Sequence, residues 1–310
     1  MKRQRAQGLA HSIQDRLKAQ AEVEGRPFAE LLDLYGIERL LHRLGKSKHR
    51  DRFVLKGALL MRHWLGSNTR PTRDVDLMGP SGLDPQVVQE VLTDVLEARV
   101  EQDGLEYDLR SLRIEQIRDT SPVPGYRARF EGHLGQAVIH HQVDMVPADA
   151  IYPPDTRIQI PGLLNLPVAE IRAYTPYSVV AEKLEAMVAL GDANSRMKDY
   201  FDLTALATGM SFDGETLAEA IRVCFKARST SIPAGEPQGI TADFGAQNAH
   251  SKLWEGYRRK AMLPETFLEF PKVLANIRGF VLPPLHAAEG NASFRREWPP
   301  GGPWKDRGDR

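Results

Sequence analysis

A single cysteine, Cys224, stands in 310 residues. A lone thiol excludes an internal disulfide framework and a cysteine-built zinc site, and it fits a reducing cytoplasm. Excess charge is also lacking: 41 Lys and Arg balance 41 Asp and Glu. A chain that grips long nucleic acid through its whole surface is usually basic, so any such contact here must be local. No run approaches the ~20 apolar residues of a membrane helix. The opening MKRQRAQGLAHSIQDRL carries positive charge without the apolar stretch of a secretory signal. No internal repeat is visible. What is present suffices for a packed core: 42% of residues are hydrophobic and 26% are charged.

Residues 11–24 and 28–45 read as helices. In the second, Phe28, Leu31, Leu32, Tyr35, Ile37, Leu40, Leu41 and Leu44 recur at helical spacing, with a break allowed at Gly36. HRLGKSKHRDR (42–52) reads as a polar, basic connector able to track a phosphate backbone. FVLKGALLMRHWLG starts as a strand, turns at Lys56-Gly57 and continues as a helix. Residues 84–98 read as a helix with an apolar side, and Gly104 to Val146 as three alternating strands. From Thr175 to about Ile277 the chain is mostly helical. The last residues, rich in Gly, Pro and Arg and holding Trp298 and Trp304, predict a disordered tail that could grip or stack on RNA.

RPTRDVDLMGP carries the chemistry. In a strand, residues i and i+2 share a face about 6.5–7 Å apart. Asp74 and Asp76 therefore point together, while Val75 and Leu77 fill the opposite side. Converging carboxylates repel unless cations lie between them, and hard divalent cations suit an all-oxygen donor set. Just upstream, Lys56-Gly57-Ala58 joins a strand to a helix, where backbone N–H groups can hold phosphate. A small-residue turn followed by D-x-D on the next strand is the signature of polymerase-β-like nucleotidyltransferases. That signature predicts a third acidic strand residue, and HQVDMV supplies Asp144.

Two charges fall on an apolar stripe. In TPYSVVAEKLEAMVALG, with Thr175 as N-cap and Gly191 as C-cap, Lys183 lies between Leu190 and Met187, and Glu182 and Glu185 lie on the opposite side. In NSRMKDYFDLTALATG, capped by Asn194 or Ser195, Asp199 shares a stripe with Leu203 and Leu206, with Asp202 beside it. A lysine on a core-facing stripe needs an anion. An internal Lys183–Asp199 salt bridge answers that need. So does a ligand triphosphate met by Lys183 and oriented by Asp199, with Arg196 one turn earlier. No histidine base is required, so His140 and His141 are expected as strand residues.

The pieces RDRFVLKGALLMRHW, RPTRDVDL, HQVDMVPADAIYP and VVAEKLEAMVALGDANSRMKDYFDL together resemble the AbiEii/AbiGii-type nucleotidyltransferase toxin family. The resemblance spans residues 28 to about 280. It implies an α+β, bilobed fold: a polymerase-β-like core (mixed sheet with helices) plus a helical C-terminal lobe. The corresponding partition is a helical segment 1–50 packing on the core, the core 51–170, the helical lobe 171–285 and the tail 286–310. It implies Mg²⁺ (or Mn²⁺) and an NTP co-substrate, a cognate antitoxin and transfer of a nucleotide to the tRNA acceptor end; a cytoplasmic monomer is the expected form. By motif position, Asp74 and Asp76 match the metal pair, with Asp144 as third ligand. Lys183 and Asp199 match the other essential charges. Thr72 matches a hydroxyl position two before the first aspartate, where some relatives can be phosphorylated, and Lys56, Gly57, Ala58, Thr72, Lys183 and Arg196 are the candidates to bind the nucleotide. Two departures stand out: Gly57-Ala58-Leu59 where the family usually has G-G-T, and Val146-Pro147-Ala148-Asp149 where many relatives have G-F-G-D. Alternatives are nucleotidylation of a protein or small-molecule hydroxyl, and a degenerate scaffold that only binds a partner.

Overall fold

The computed structural model describes residues 2–66, 69–70, 72–117, 124–261, 263 and 268–307, with side chains from residue 7. The contacts divide the chain into two compact units. The first holds residues 1–60, 71–148 and 156–173. The second holds 61–70, 149–155 and 174–310. Residues 1–50, expected to pack on the core, share one unit with most of 51–170, while residues 61–70 and 149–155 belong to the other.

In the first unit the order is α1 (Lys2–Glu24), α2 (Phe28–Lys46), β1 (Val54–Lys56), the start of α3 (Ala58–Leu65), β2 (Asp74–Gly79), α4 (Pro85–Leu96), β3 (Leu105–Gln116), β4 (Tyr126–Leu134), β5 (Ala137–Pro147), β6 (Thr156–Ile160) and β7 (Ala169–Ala173). The strands form one mixed sheet, ordered β3-β4-β5-β2-β1-β7-β6. β2 runs parallel to β5 and β1 parallel to β7, and the other pairings are antiparallel. Period-2 alternation decides the faces: Ile139, His141, Val143 and Met145 of β5 are buried, and so are Val75 and Leu77 of β2.

Helix α2 covers that buried face without a break at Gly36. The glycine is there for closeness: a Cβ on it would stand 2.8 Å from the His141 ring and 2.9 Å from Ile139. Ala10, Ile13, Leu17 and Ala21 of α1 recur every three or four residues and close over Leu31, Tyr35, Leu105, Leu134 and Ile139. The supposed basic connector is largely structural. α2 runs on to Lys46, and Arg43 is buried, gripping both oxygens of buried Asp103 at 2.6 and 3.0 Å and lying over the Tyr107 ring. Lys48 and His49 both meet Asp94, at 2.9 and 2.8 Å.

The second unit is mainly helical: the rest of α3, then α5 (Pro176–Leu190), α6 (Met197–Gly209), β8 (Phe212–Asp213), α7 (Gly214–Ala227), α8 (Ala242–Ala246), α9 (Asn248–Lys260), α10 (Phe270–Glu289), β9 (Arg296–Trp298) and β10 (Lys305–Asp306). Glu185, on the side of α5 opposite the apolar stripe, is itself buried, because α7 packs on α5 and Arg228 reaches its carboxylate at 2.8 Å. One expectation is corrected here. The segment expected as a disordered tail is ordered through residue 307. β9 joins β8 and β10 in a three-stranded sheet, Trp298 donates to the Ala207 carbonyl at 2.7 Å, and Trp304 donates to the Phe280 carbonyl at 2.9 Å. Arg295, Arg296 and Arg307 of that segment pair with Glu215, Asp306 and Asp213. Arg310 lies outside the described residues. No helix among the described residues is long and apolar enough to cross a membrane.

His141 gives the fold a pH signature. Its ring is buried, stacked on Phe130 at 5.0 Å, and its Nε2 has no hydrogen-bond partner. Burial first, and the charge of Arg43 second, push its pKa down to about 3. The unfolded chain therefore takes up this proton first as pH falls below ~6.5, and stability drops by up to about 1.4 kcal/mol per pH unit between there and pH 3. Urea denaturation at pH 7 and pH 4.5 should show this acid-side loss in the wild type and a shallower one in His141→Gln. Equal slopes would mean that the ring ionises inside the fold.

Candidate active site

In the first unit, β2 is flanked by β1 and β5, and the registers line up side chains across the open face. Asp76 stands opposite Lys56 on one side and Asp144 on the other, and Asp144 stands opposite Arg127. One row therefore reads Lys56, Asp76, Asp144, Arg127. The next reads Asp74, Gln142, Arg129. Directly opposed residues share a face, so the three predicted aspartates do converge on one surface. Asp74 is exposed, and Asp76 and Asp144 are half-buried.

The turn after β1 is shaped around Asp76. Gly57 has φ +78°, and a Cβ on it would lie 2.0 Å from Asp76 Oδ2. The positive φ favours glycine there, and any side chain would have to displace the Asp76 carboxylate. Ala58 is buried and opens α3, which leaves the first N–H groups of the helix beside the carboxylate strand. Thr72 is half-buried, and its hydroxyl donates to the Asp74 carbonyl at 3.4 Å.

Asp144 is not aimed at its acidic neighbours. Both its oxygens accept from Arg127, Nε at 2.8 Å and Nη2 at 2.7 Å. Those bonds raise the Arg127 pKa, with further contributions from the charges of Asp144 and Asp74. Among the described residues no three His, Cys, Asp or Glu side chains are gathered as a metal cage. The donor set nevertheless fits a hard divalent cation on Asp74 and Asp76: two carboxylates on one strand face, with the Gly57 cradle holding one of them. Asp144 could add a ligand only by sharing or exchanging its arginine.

In the second unit, Lys183 enters α5 on the apolar stripe of Val179, Val180, Leu184 and Met187, all buried. Its ammonium donates to Asp199 at 2.7 Å and Asp202 at 2.8 Å. Arg196 Nε is 2.7 Å from the other Asp199 oxygen, an ion pair whose angle is too poor for a hydrogen bond. Arg196 also occupies the N-cap position of α6, and Asn194 accepts from its backbone N–H, so neither Asn194 nor Ser195 is the cap itself. Burial opposes ionisation of Lys183 and Asp199. The opposed charges win, raising the Lys183 pKa and lowering that of Asp199. The structure adds Arg70, which the sequence did not single out. Its Nε and Nη2 reach the two oxygens of fully buried Asp202 at 3.1 and 3.3 Å. Three cations thus surround two carboxylates.

The family model of the AbiEii nucleotidyl transferase toxin, of type IV toxin–antitoxin systems, matches residues 39–276. The chain belongs to this family. The match runs from inside α2 to the first third of α10 and includes every residue of both charge arrays. The chain is also similar to two crystal structures from Helicobacter pylori. JHP933 shares 15% identity, with 82% of this chain and 90% of that one covered and a TM-score of 0.46. A candidate nucleotidyltransferase shares 17% identity, with 82% and 92% covered and a TM-score of 0.44. No curated protein matches the chain.

For an AbiEii nucleotidyltransferase two tests follow. Gly57→Ala should fold but push the Asp76 carboxylate aside, lowering NTP consumption by about a hundred-fold, the scale of a 1 Å misplacement; unchanged turnover would show that the cradle is dispensable. Asp202→Ala leaves Lys183 and Arg70 short of an anion and should cost about 3–5 kcal/mol in urea denaturation. A loss under about 1 kcal/mol would mean that water or Asp199 replaces it.

Proposed function

We propose that the chain is a divalent-cation-dependent toxin that transfers NMP from an NTP to an RNA 3′ end, the tRNA acceptor end above all, and thereby blocks translation. The observation that carries this reading is the convergence of Asp74 and Asp76 on an open sheet face against the Gly57 turn, in a nucleotidyltransferase toxin family. Asp74 and Asp76 hold the cation, Mg²⁺ or Mn²⁺. When bound, it lowers the pKa of the attacking hydroxyl and offsets charge on the phosphoryl oxygens. The Lys56-Gly57-Ala58 turn and the N–H groups opening α3 receive phosphate. In the second unit, Lys183 and Arg196 carry positive charge suited to a polyanion such as a triphosphate, and Asp199 fixes the lysine's direction through its 2.7 Å bond. Thr72, at the entry to β2, is placed with the nucleotide. His140 and His141 take no part: His141 is buried in the core and His140 is exposed on β5. As a member of a toxin–antitoxin family, the chain has an antitoxin as its regulatory partner.

The test is incubation with total RNA and each α-labelled NTP in turn, followed by gel separation. A labelled band of tRNA size should appear with magnesium, and Asp74→Ala or Asp76→Ala should weaken it by about a hundred-fold or more. Near-normal labelling by a folded variant would remove the carboxylates from the mechanism. Label found only in protein or small molecules would replace RNA as acceptor.

A further inference from the structure

Arg127 holds the one acidic residue of the carboxylate row that the metal reading leaves half-explained. Its guanidinium takes both oxygens of Asp144 in a planar fork, the strongest ordinary geometry for such a pair. The pair is shielded: the Asp144 side chain is 15% exposed and that of Arg127 31%. Each carboxylate oxygen retains a lone pair, so the fork does not bar a cation sterically. Charge does. A dication at Asp76 and Asp144 and a guanidinium on Asp144 would sit in one row of neighbouring side chains, repelling each other across a partly dry surface.

We infer that Arg127 is a built-in competitor of the metal for Asp144. It keeps the third carboxylate out of reach until a divalent cation on Asp74 and Asp76 draws Asp144 over. The displaced guanidinium then faces outward on the substrate side of the sheet, where an anionic phosphate is its natural partner. Arg127 is thus a positioning residue that acts through Asp144, and metal loading and phosphate binding are coupled through it. This inference rests on the metal reading of Asp74 and Asp76.

The next row supplies an internal control. Arg129 has the same charge on the same strand face, but it bonds Gln142 at 3.1 Å and pairs with Glu115 rather than Asp144. Mn²⁺ binding to the purified full chain, read by calorimetry or by loss of the free-ion magnetic resonance signal, needs no turnover. Arg127→Gln should tighten binding by about ten-fold, the scale of one charged hydrogen-bonded pair. Arg129→Gln should change it by less than about two-fold, as befits a screened surface charge. On an Asp144→Asn background, Arg127→Gln should have no further effect. Unchanged or weaker Mn²⁺ binding in folded Arg127→Gln overturns the inference, as does equal tightening by Arg129→Gln. If Arg127→Gln does not fold, Arg127→Lys keeps the charge but loses the fork; it should tighten binding more modestly, and no tightening counts against the inference. A wild-type chain that binds no Mn²⁺ removes the metal reading itself, whereas wild-type binding that Arg127 does not influence removes only this step.

Discussion

The parallel pairing of β2 with β5 is the constraint on which the rest of the first unit depends. Val75 lies opposite Val143 and Leu77 opposite Met145, all four buried. Burying such side chains is worth roughly 1.5–3 kcal/mol each. Because side chains alternate with period two, the same register that buries these four turns Asp74, Asp76 and Asp144 outward. A slip by one residue on either strand would send carboxylates into the core, at several kcal/mol per unpaired charge. The apolar half of the strand pair therefore enforces the geometry of the polar half. Helix α2, pressed on this face through Gly36, seals the apolar side.

The two charge arrays are built on different physics. On the sheet, two neighbouring anions, Asp76 and Asp144, stand between two cations, Lys56 and Arg127, along a half-buried row at the edge of solvent, so a bound cation can compete for the carboxylates. In the helical unit, Asp199 and Asp202 are buried and the Lys183 side chain is only 12% exposed, and their desolvation is offset by close contact with each other and with Arg70 and Arg196. Such a cluster is a poor source of stability, since a packed apolar replacement would often do as well. What it provides is a rigidly aimed ammonium and an excess of positive charge. That suits a polyanionic ligand better than it suits a fold.

Much of this was legible in the sequence because strong periodicities carried it. D-x-D in an apolar alternation could only point one way, and a lysine inside the stripe of α5 announced a buried partner. The misreadings share one cause: periodicity shows which face of an element is apolar, and not whether the polar face meets another element. Glu185 lay opposite the apolar stripe and Arg43 in a polar basic stretch, and both are covered, by α7 and Arg228 and by Asp103. The tail failed for a related reason, since Gly, Pro and Arg dominated its composition while its two tryptophans supplied the anchorage. The Arg127–Asp144 pair was recoverable: the turn at Gly135-Gln136 joins Leu134 to Ala137, and counting back along both strands brings these two together. Arg70 and Asp202, 132 positions apart, left no local trace.

The placement of the aromatic side chains gives the two units different optical identities. All four tryptophans, Trp64, Trp254, Trp298 and Trp304, fall in the second unit. Trp254 and Trp298 are buried there, and the rings of Trp298 and Trp304 meet edge to face at 5.5 Å. The first unit has only Tyr35, Tyr107 and Tyr126 as absorbing phenols. Emission excited at the red edge of the absorption band therefore comes from the helical unit alone. The sheet that carries the aspartates is silent in that signal, and its melting is visible only through backbone ellipticity or tyrosine.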